Sequence, residues 1–306
     1  MYINILVNKM ESKIFIGTAL NEHVRFYIGD TTSIVEEARK THDMWPTSLA
    51  ALGRTMSVTA CMGLMQKGED ESVTTTINGG GQIGTIMVTA NNKGKVKGFV
   101  GDPHCYLKYN ETGKLAVGLV VGTDGYLKVL KNLKLKQSYT SQVKLQTGEI
   151  GDDFAYYFQA SEQVPTVVSV GVLVNEDYSC KTSGILLLEL LPNHTEEDIV
   201  YLENLLKDLK PISSVLDEDR DLIKYIKSLF ADAKILEEQP LEYKCDCSRE
   251  KFMANLLTLP TSDIEELANE ESVEVKCEFC NSTYKYTKED MEKVLSYANY
   301  RDNKNK

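Results

Sequence analysis

Four cysteines near the C-terminal end constrain this chain more than anything else in it: Cys245-x-Cys247, then 29 intervening residues, then Cys277-x-x-Cys280. Four soft thiolates drawn from two short pairs complete the tetrahedral shell of a single Zn²⁺ and leave no open position for a substrate. Such a closed site is structural rather than hydrolytic.

The residues around the cysteines read as small elements. Tyr243-Lys244 and Glu274-Val275-Lys276 lead into the two pairs, which places each pair at the tip of a short strand or turn. Ser248 caps a helix through Leu257, and Ser262-x-x-Glu265 has the form of a capping box for a second helix. Thr287-x-x-Asp290 opens a third, with Met291, Val294, Leu295 and Ala298 on one face. Residues 240–306 are too few for a self-sufficient apolar core, so metal binding supplies much of their folding free energy, on the order of 10–16 kcal/mol. Cys245 and Cys247 are only one residue apart and are able to oxidise to each other once the metal is lost.

With 42% hydrophobic residues in 306, the chain is long enough for one good-sized core and one or two smaller units. Seven cysteines, an odd number with no signal peptide ahead of them, point to a reducing compartment, and the expected location is the cytoplasm. No stretch has the ~20 apolar residues of a membrane span. The formal charge of −11 is uneven: 18 basic and 19 acidic side chains precede residue 191, and 16 basic and 26 acidic follow. An acidic C-terminal third repels phosphate backbones, so nucleic acid is not expected as the main ligand.

Taken in order, the chain predicts an α+β fold in three parts. Residues 1–190 form a β-rich core domain with packed helices. Strands are expected at Lys13–Leu20 and Val24–Ile28, then a helix from Thr31 or Thr32 to His42. Trp45-Pro46 breaks the chain before a largely buried helix from Thr47 to about Gln66. Further strands follow at Val73–Ile77, Ile83–Ala90, Val96–Val100, Tyr106–Tyr109, Tyr126–Leu130, Val143–Thr147, Val167–Val174 and Ile185–Leu191, interrupted by a helix from Asp152 to Ser161. Residues 191–239 form a linker of amphipathic helices, one opened by Thr195-x-x-Asp198 and ended by Pro211, another carrying Leu222, Ile223, Ile226, Leu229 and Phe230 on one face. Residues 240–306 form the zinc-binding module.

Other motifs carry less. Gly79-Gly80-Gly81-Gln82-Ile83-Gly84 has the spacing of a dinucleotide loop, but the β-branched run after it provides no helix N-terminus for a pyrophosphate. His23, His42, His104 and His194 show no metal-ligand spacing and no nucleophile beside them. Cys61, Cys105 and Cys180 are isolated and read as small buried hydrophobes. Asp152-Asp153 reads as a helix cap rather than a catalytic pair. No catalytic residue is assigned, and the chain is not expected to be an enzyme.

The cysteine spacing occurs together with Trp45-Pro46-Thr47, Ala51-Leu52-Gly53-Arg54, the glycine run, Gly151-Asp152-Asp153-Phe154-x-Tyr156-Tyr157 and Ser161-Glu162-Gln163-Val164-Pro165. With these the chain resembles the redox-regulated 33 kDa chaperonin family of bacterial heat-shock holdases, from roughly residue 11 to 295. The preceding residues look like an extension, with Met10 an alternative start to Met1. The resemblance implies an ATP-independent chaperone for unfolding client proteins, silent when reduced and zinc-bound. On oxidation it implies disulfides joining Cys245 with Cys247 and Cys277 with Cys280, release of the zinc, and a homodimer. Two rival readings are a zinc-stapled protein that binds nucleic acid or a transcription partner, and a thiol-disulfide oxidoreductase working through one Cys-x-x-Cys.

Overall fold

The helix over Pro46–Leu64 carries a single charge, and all its residues except Arg54 and Leu64 are buried. A helix with no polar face must lie inside the fold. In the computed structural model, which describes residues 11–134 and 138–304, this helix sits between two large sheets and touches strands of both. Its hydroxyls are satisfied in place: Thr55, Ser57 and Thr59 donate to carbonyls one turn back, and Thr59 also meets Thr75. Gly53 lets the helix approach Val172 and Val35 so closely that a Cβ would lie 2.8 Å from either side chain. The question of whether Met1 or Met10 starts the chain lies outside the described residues.

In chain order the strands are β1 (Lys13–Ala19), β2 (Val24–Asp30), β3 (Ser72–Asn78), β4 (Ile86–Asn91), β5 (Lys95–Val100), β6 (Tyr126–Asn132), β7 (Tyr139–Lys144), β8 (Thr166–Val174), β9 (Cys180–Leu190), β10 (Lys234–Pro240), β11 (Glu242–Tyr243), β12 (Ser272–Lys276) and β13 (Thr283–Thr287). The helices are α1 (Thr32–His42), α2 (Pro46–Leu64), α3 (Val117–Val121), α4 (Gly151–Tyr157), α5 (Glu196–Asp208), α6 (Ile212–Glu218), α7 (Leu222–Leu229), α8 (Arg249–Leu256), α9 (Thr261–Ala268) and α10 (Lys288–Lys304). The expected α+β class holds.

One sheet has the order β10-β1-β2-β9-β8 and the other β11-β5-β4-β3-β6-β7, with the two-residue β11 parallel to β5. Strands β3, β4 and β5 alternate buried and half-exposed residues, as a sheet covered on one face should. Strand β9 is buried on both faces because α2 covers one and α6 packs on the sheet as well. Residues 191–239, expected as linker helices, therefore supply α5, α6 and α7, whose Leu202, Ile212, Leu216 and Ile226 share a core with Phe26, Ile28, Leu186 and Leu188. They also supply β10, which pairs with β1.

Several local expectations are corrected. Tyr106–Tyr109 forms one bridge among the described residues, Lys108 to Leu115, because the chain turns back on itself at once: the Leu107 carbonyl accepts from Ala116 and Tyr109 bonds to Lys114 and Gly113, while the Thr47 hydroxyl takes the Leu107 N–H. Val143–Thr147 is displaced toward the N-terminus as β7. The helix expected from Asp152 starts at Gly151 and closes in a π-helical turn over Phe158–Glu162. There the fully buried Asp153, not Asp152, collects the N–H groups of Gln146, Thr147 and Ile150. The Ser262-x-x-Glu265 box is not made: α9 begins at Thr261 behind Pro260 without a side-chain cap. By contact density the chain divides into two units, residues 1–244 and 245–306.

Candidate metal centre

All four expected ligands fall in the second unit. Strand β12 ends at Lys276 and passes directly into Cys277, whose N–H bonds to the Ser282 carbonyl while its own carbonyl accepts from the N–H groups of Cys280 and Asn281. Asn281 takes a left-handed conformation (φ 59°), which Asn tolerates, and this turns the chain back into β13. The second pair is thus held on the turn of a two-stranded ribbon whose register runs from Ser272 opposite Thr287 to Lys276 opposite Thr283.

The first pair lies just before α8, capped as expected by the Ser248 hydroxyl accepting from the Lys251 N–H. Arg249 fastens this segment to the ribbon. Its guanidinium pairs with Asp290 at 2.6 Å and lies 4.8 Å from the centre of the Tyr286 ring, and the Tyr286 hydroxyl donates to the Arg249 carbonyl. Asp290 in turn closes a reciprocal cap with Thr287 at the start of α10. Beneath these groups is a small core of Ile264, Ala268, Val273, Tyr286, Met291, Val294 and Ala298.

The four Sγ atoms lie within 4.8 Å of one another. Cys245 and Cys277 are 3.7 Å apart and Cys247 and Cys280 are 3.3 Å apart. Four sulfurs at ~2.3 Å from a common tetrahedral centre would be about 3.8 Å apart, so the cluster fits a zinc-sized ion with an all-thiolate shell. Both of these separations join a sulfur of one pair to a sulfur of the other, as expected of a shared cage. Hydroxyls not singled out from the sequence complete the surroundings: Ser282 lies 3.3 Å from Cys280 Sγ and Tyr284 3.2 Å from Cys247 Sγ. Burial pushes the Cys280 thiol up, but hydrogen bonding to Ser282, Cys247 and Cys277 outweighs it and brings the group down to about 7. Burial raises the Cys277 thiol.

The remaining cysteines stand apart. Cys61, Cys105 and Cys180 are buried in the first unit, and desolvation raises all three thiols. The histidines are used locally: His23 on Asp198, His42 on the Gly98 carbonyl and Tyr243, His104 beside Asp43, and His194 on the Leu191 carbonyl. The glycine run passes from β3 into β4 with positive φ at Gly80 and Gly84, and no helix follows it. Among the described residues no helix is long and apolar enough to cross a membrane.

Comparison with known proteins identifies the family. The family model described as Hsp33 protein matches residues 12–287. The chain is 41% identical over 283 residues to the 33 kDa chaperonin of Geobacillus kaustophilus, covering 92% of this chain and 96% of that one. It is 43% identical over 290 residues to the 33 kDa chaperonin of Clostridium perfringens, covering 94% and 91%. The crystal structure of the 33 kDa chaperonin (heat shock protein 33 homolog) from Thermotoga maritima superposes with a TM-score of 0.85 at 34% identity, over 94% of this chain and 98% of that one. Alike in sequence over most of its length and alike in fold, the chain belongs to the Hsp33 protein family.

Proposed function

We propose that this protein is an ATP-independent holdase that keeps unfolding proteins from aggregating and is switched on by oxidation of Cys245, Cys247, Cys277 and Cys280. The observation that carries this reading is the convergence of four sulfurs within 4.8 Å in a unit with only a small apolar core. Family membership supports the chaperone part, since the relatives are named chaperonins.

Bound zinc would hold the four sulfurs as thiolates and tie the two pairs together. The cysteines themselves carry the redox step. Cys245 and Cys247 form one S–S bond and Cys277 and Cys280 the other; each bond releases two electrons, which with two protons reduce one hydrogen peroxide to two waters. No thiolate then remains to bind metal. The unit from residue 245 onward loses its main stabilisation, and we further propose that the α5–α7 segment then yields apolar surface to clients, with the oxidised protein a dimer in the cytoplasm. Light scattering from a heat-aggregating client, without nucleotide, tests this. The peroxide-treated protein should suppress scatter and the reduced, zinc-loaded protein should not; equal protection by both would refute the switch.

A further inference from the structure

Strand β8 is an edge, pairing only with β9 among the described residues. Its sequence is Thr-Val-Val-Ser-Val-Gly-Val-Leu-Val, nine residues without a charge or a proline. Edges of that kind are rare in folded proteins because their unpaired N–H and C=O groups recruit another strand. The other edges of the two large sheets are guarded. β10 carries Lys234, Glu237, Glu238 and Pro240, β7 is polar and ends in Lys144, and β11 is two residues long.

The β8 edge opens into a cleft of about 880 Å³. Five consecutive strand residues, Val170 to Val174, line it. Residues of both faces of the strand therefore border the cleft, as they do where a cleft runs along a strand edge, and Pro211, Ser213 and Ser214 at the start of α6 border it too. The turn around Lys108 and Lys114 also lines it, with the rings of Tyr106 and Tyr178 tilted by 57° and their centres 5.7 Å apart. Arg54 and Glu149 in the cleft neutralise each other at 2.7 Å. Lys108 and Lys114 have no carboxylate partner among the described ion pairs, and Glu176 at the strand end is the only other acid lining the space.

We infer that the β8 edge is a docking site for an extended, apolar segment of an unfolded chain that bears an acidic residue. The segment adds as a further strand, its backbone bonding to the outward N–H and C=O groups of β8. Its acidic side chain faces Lys108 and Lys114. Alternate apolar side chains pack toward Tyr106 and the valines. The inference rests on the client-holding reading and gives it a surface.

The test uses the full-length, peroxide-treated protein, the state that holds clients in the reading above, and a fluorescein-labelled ten-residue peptide of alternating Val and Thr with one Glu, followed by anisotropy. N-methylation at alternate peptide residues should weaken binding at least about tenfold, since it removes backbone donors and little apolar surface. The exposed double variant Lys108→Glu/Lys114→Glu should weaken the Glu peptide about threefold or more at low salt and strengthen its Glu→Lys counterpart. Amide NMR shifts should gather on β8. Equal binding of the N-methylated peptide, indifference to the charge reversal, or a dimer that buries β8 and resists the peptide would each overturn the inference. Peptide docking at β8 in a protein that never protects an aggregating client would remove the holdase reading and leave the site standing.

Discussion

His23 and Asp198 meet across 175 positions of sequence, with Nδ1 2.7 Å from Oδ2. His23 follows three consecutive left-handed residues, Leu20, Asn21 and Glu22, and the N–H groups of Leu20 and Asn21 donate to the Asp232 carboxylate. One strained turn between β1 and β2 therefore holds the first turn of α5 at one side and the approach to β10 at the other. Asp198 also completes the reciprocal cap with Thr195.

Replacing Asp198 by Asn should loosen α5. The variant loses the carboxylate that meets His23 and closes half of the cap, about 1 kcal/mol, so hydrogen exchange over residues 196–208 should quicken roughly fivefold while β4 keeps its protection. Burial pushes the Asp198 carboxyl up, but the hydrogen bonds from Thr195 and His23 prevail and leave it below the usual carboxylate range. A lowered folded-state value means that its stabilisation is complete above the unfolded value near ~3.9 and fades as pH falls through the folded one. Exchange of the wild-type α5 amides should approach that of the variant in acid.

Glu149 is the second acid-sensitive group. Arg54, the Tyr109 hydroxyl and the Gly118 N–H converge on its carboxylate at 2.7, 2.7 and 3.1 Å. Burial raises it, and these three partners lower it by more. Glu149→Gln leaves the half-buried Arg54 without its counter-charge and should cost about 1.5–3 kcal/mol at pH 7. Because the folded-state value is depressed, the gap between variant and wild type should be fully present above pH ~4.3 and close as pH falls further. Urea titrations from pH 7 down to 3, followed by circular dichroism, measure that gap.

Thiol accounting separates the two classes of cysteine. Cys61, Cys105 and Cys180 are buried and their thiols raised, so both thiolate character and access are lacking. Mass spectrometry after brief peroxide treatment and alkylation of the unfolded protein should find these three still alkylated and Cys245, Cys247, Cys277 and Cys280 protected as disulfides. Oxidation spread over all seven would contradict the assignment.

What the chain betrays before folding follows from how local each signal is. The four cysteines, the Ser248 and Thr195 caps and the apolar α2 depend on spacing within a few residues, and all appear where the pattern puts them. Tyr106–Tyr109 misleads because the chain folds back within a few residues onto Lys114–Ala116 and gives the Leu107 N–H to a hydroxyl 60 positions away on Thr47. The part played by Ser282 and Tyr284 beside the sulfurs, and the pairing of β10 with β1, have no sequence signature at all; they arise from tertiary contact. The linker reading of residues 191–239 recognised amphipathic helices but had no means of finding the sheet face that they cover.

Metal removal gives the sharpest physical consequence. Among the described residues the core of the unit from Cys245 onward has seven buried apolar side chains, with partly buried ones such as Phe252 and Tyr284 packed around them, and several of its remaining ties run through Arg249, whose pair with Asp290 is partly exposed. A core of that size does not offset the conformational entropy of about sixty residues without a metal staple. Chelation after mild oxidation should therefore abolish the helical signal of α8, α9 and α10 and expose the unit to limited proteolysis. Residues 11–190, built around the buried α2 and the strands that it touches, should survive as a resistant fragment, with cuts also appearing in α5–α7. A double substitution, Cys277→Ser with Cys280→Ser, should reproduce the same protease pattern without any oxidant, since two hydroxyls cannot replace two thiolate ligands. If the C-terminal unit stayed resistant in that variant, its stability would have to come from the hydrophobic cluster around Tyr286 and not from the sulfurs.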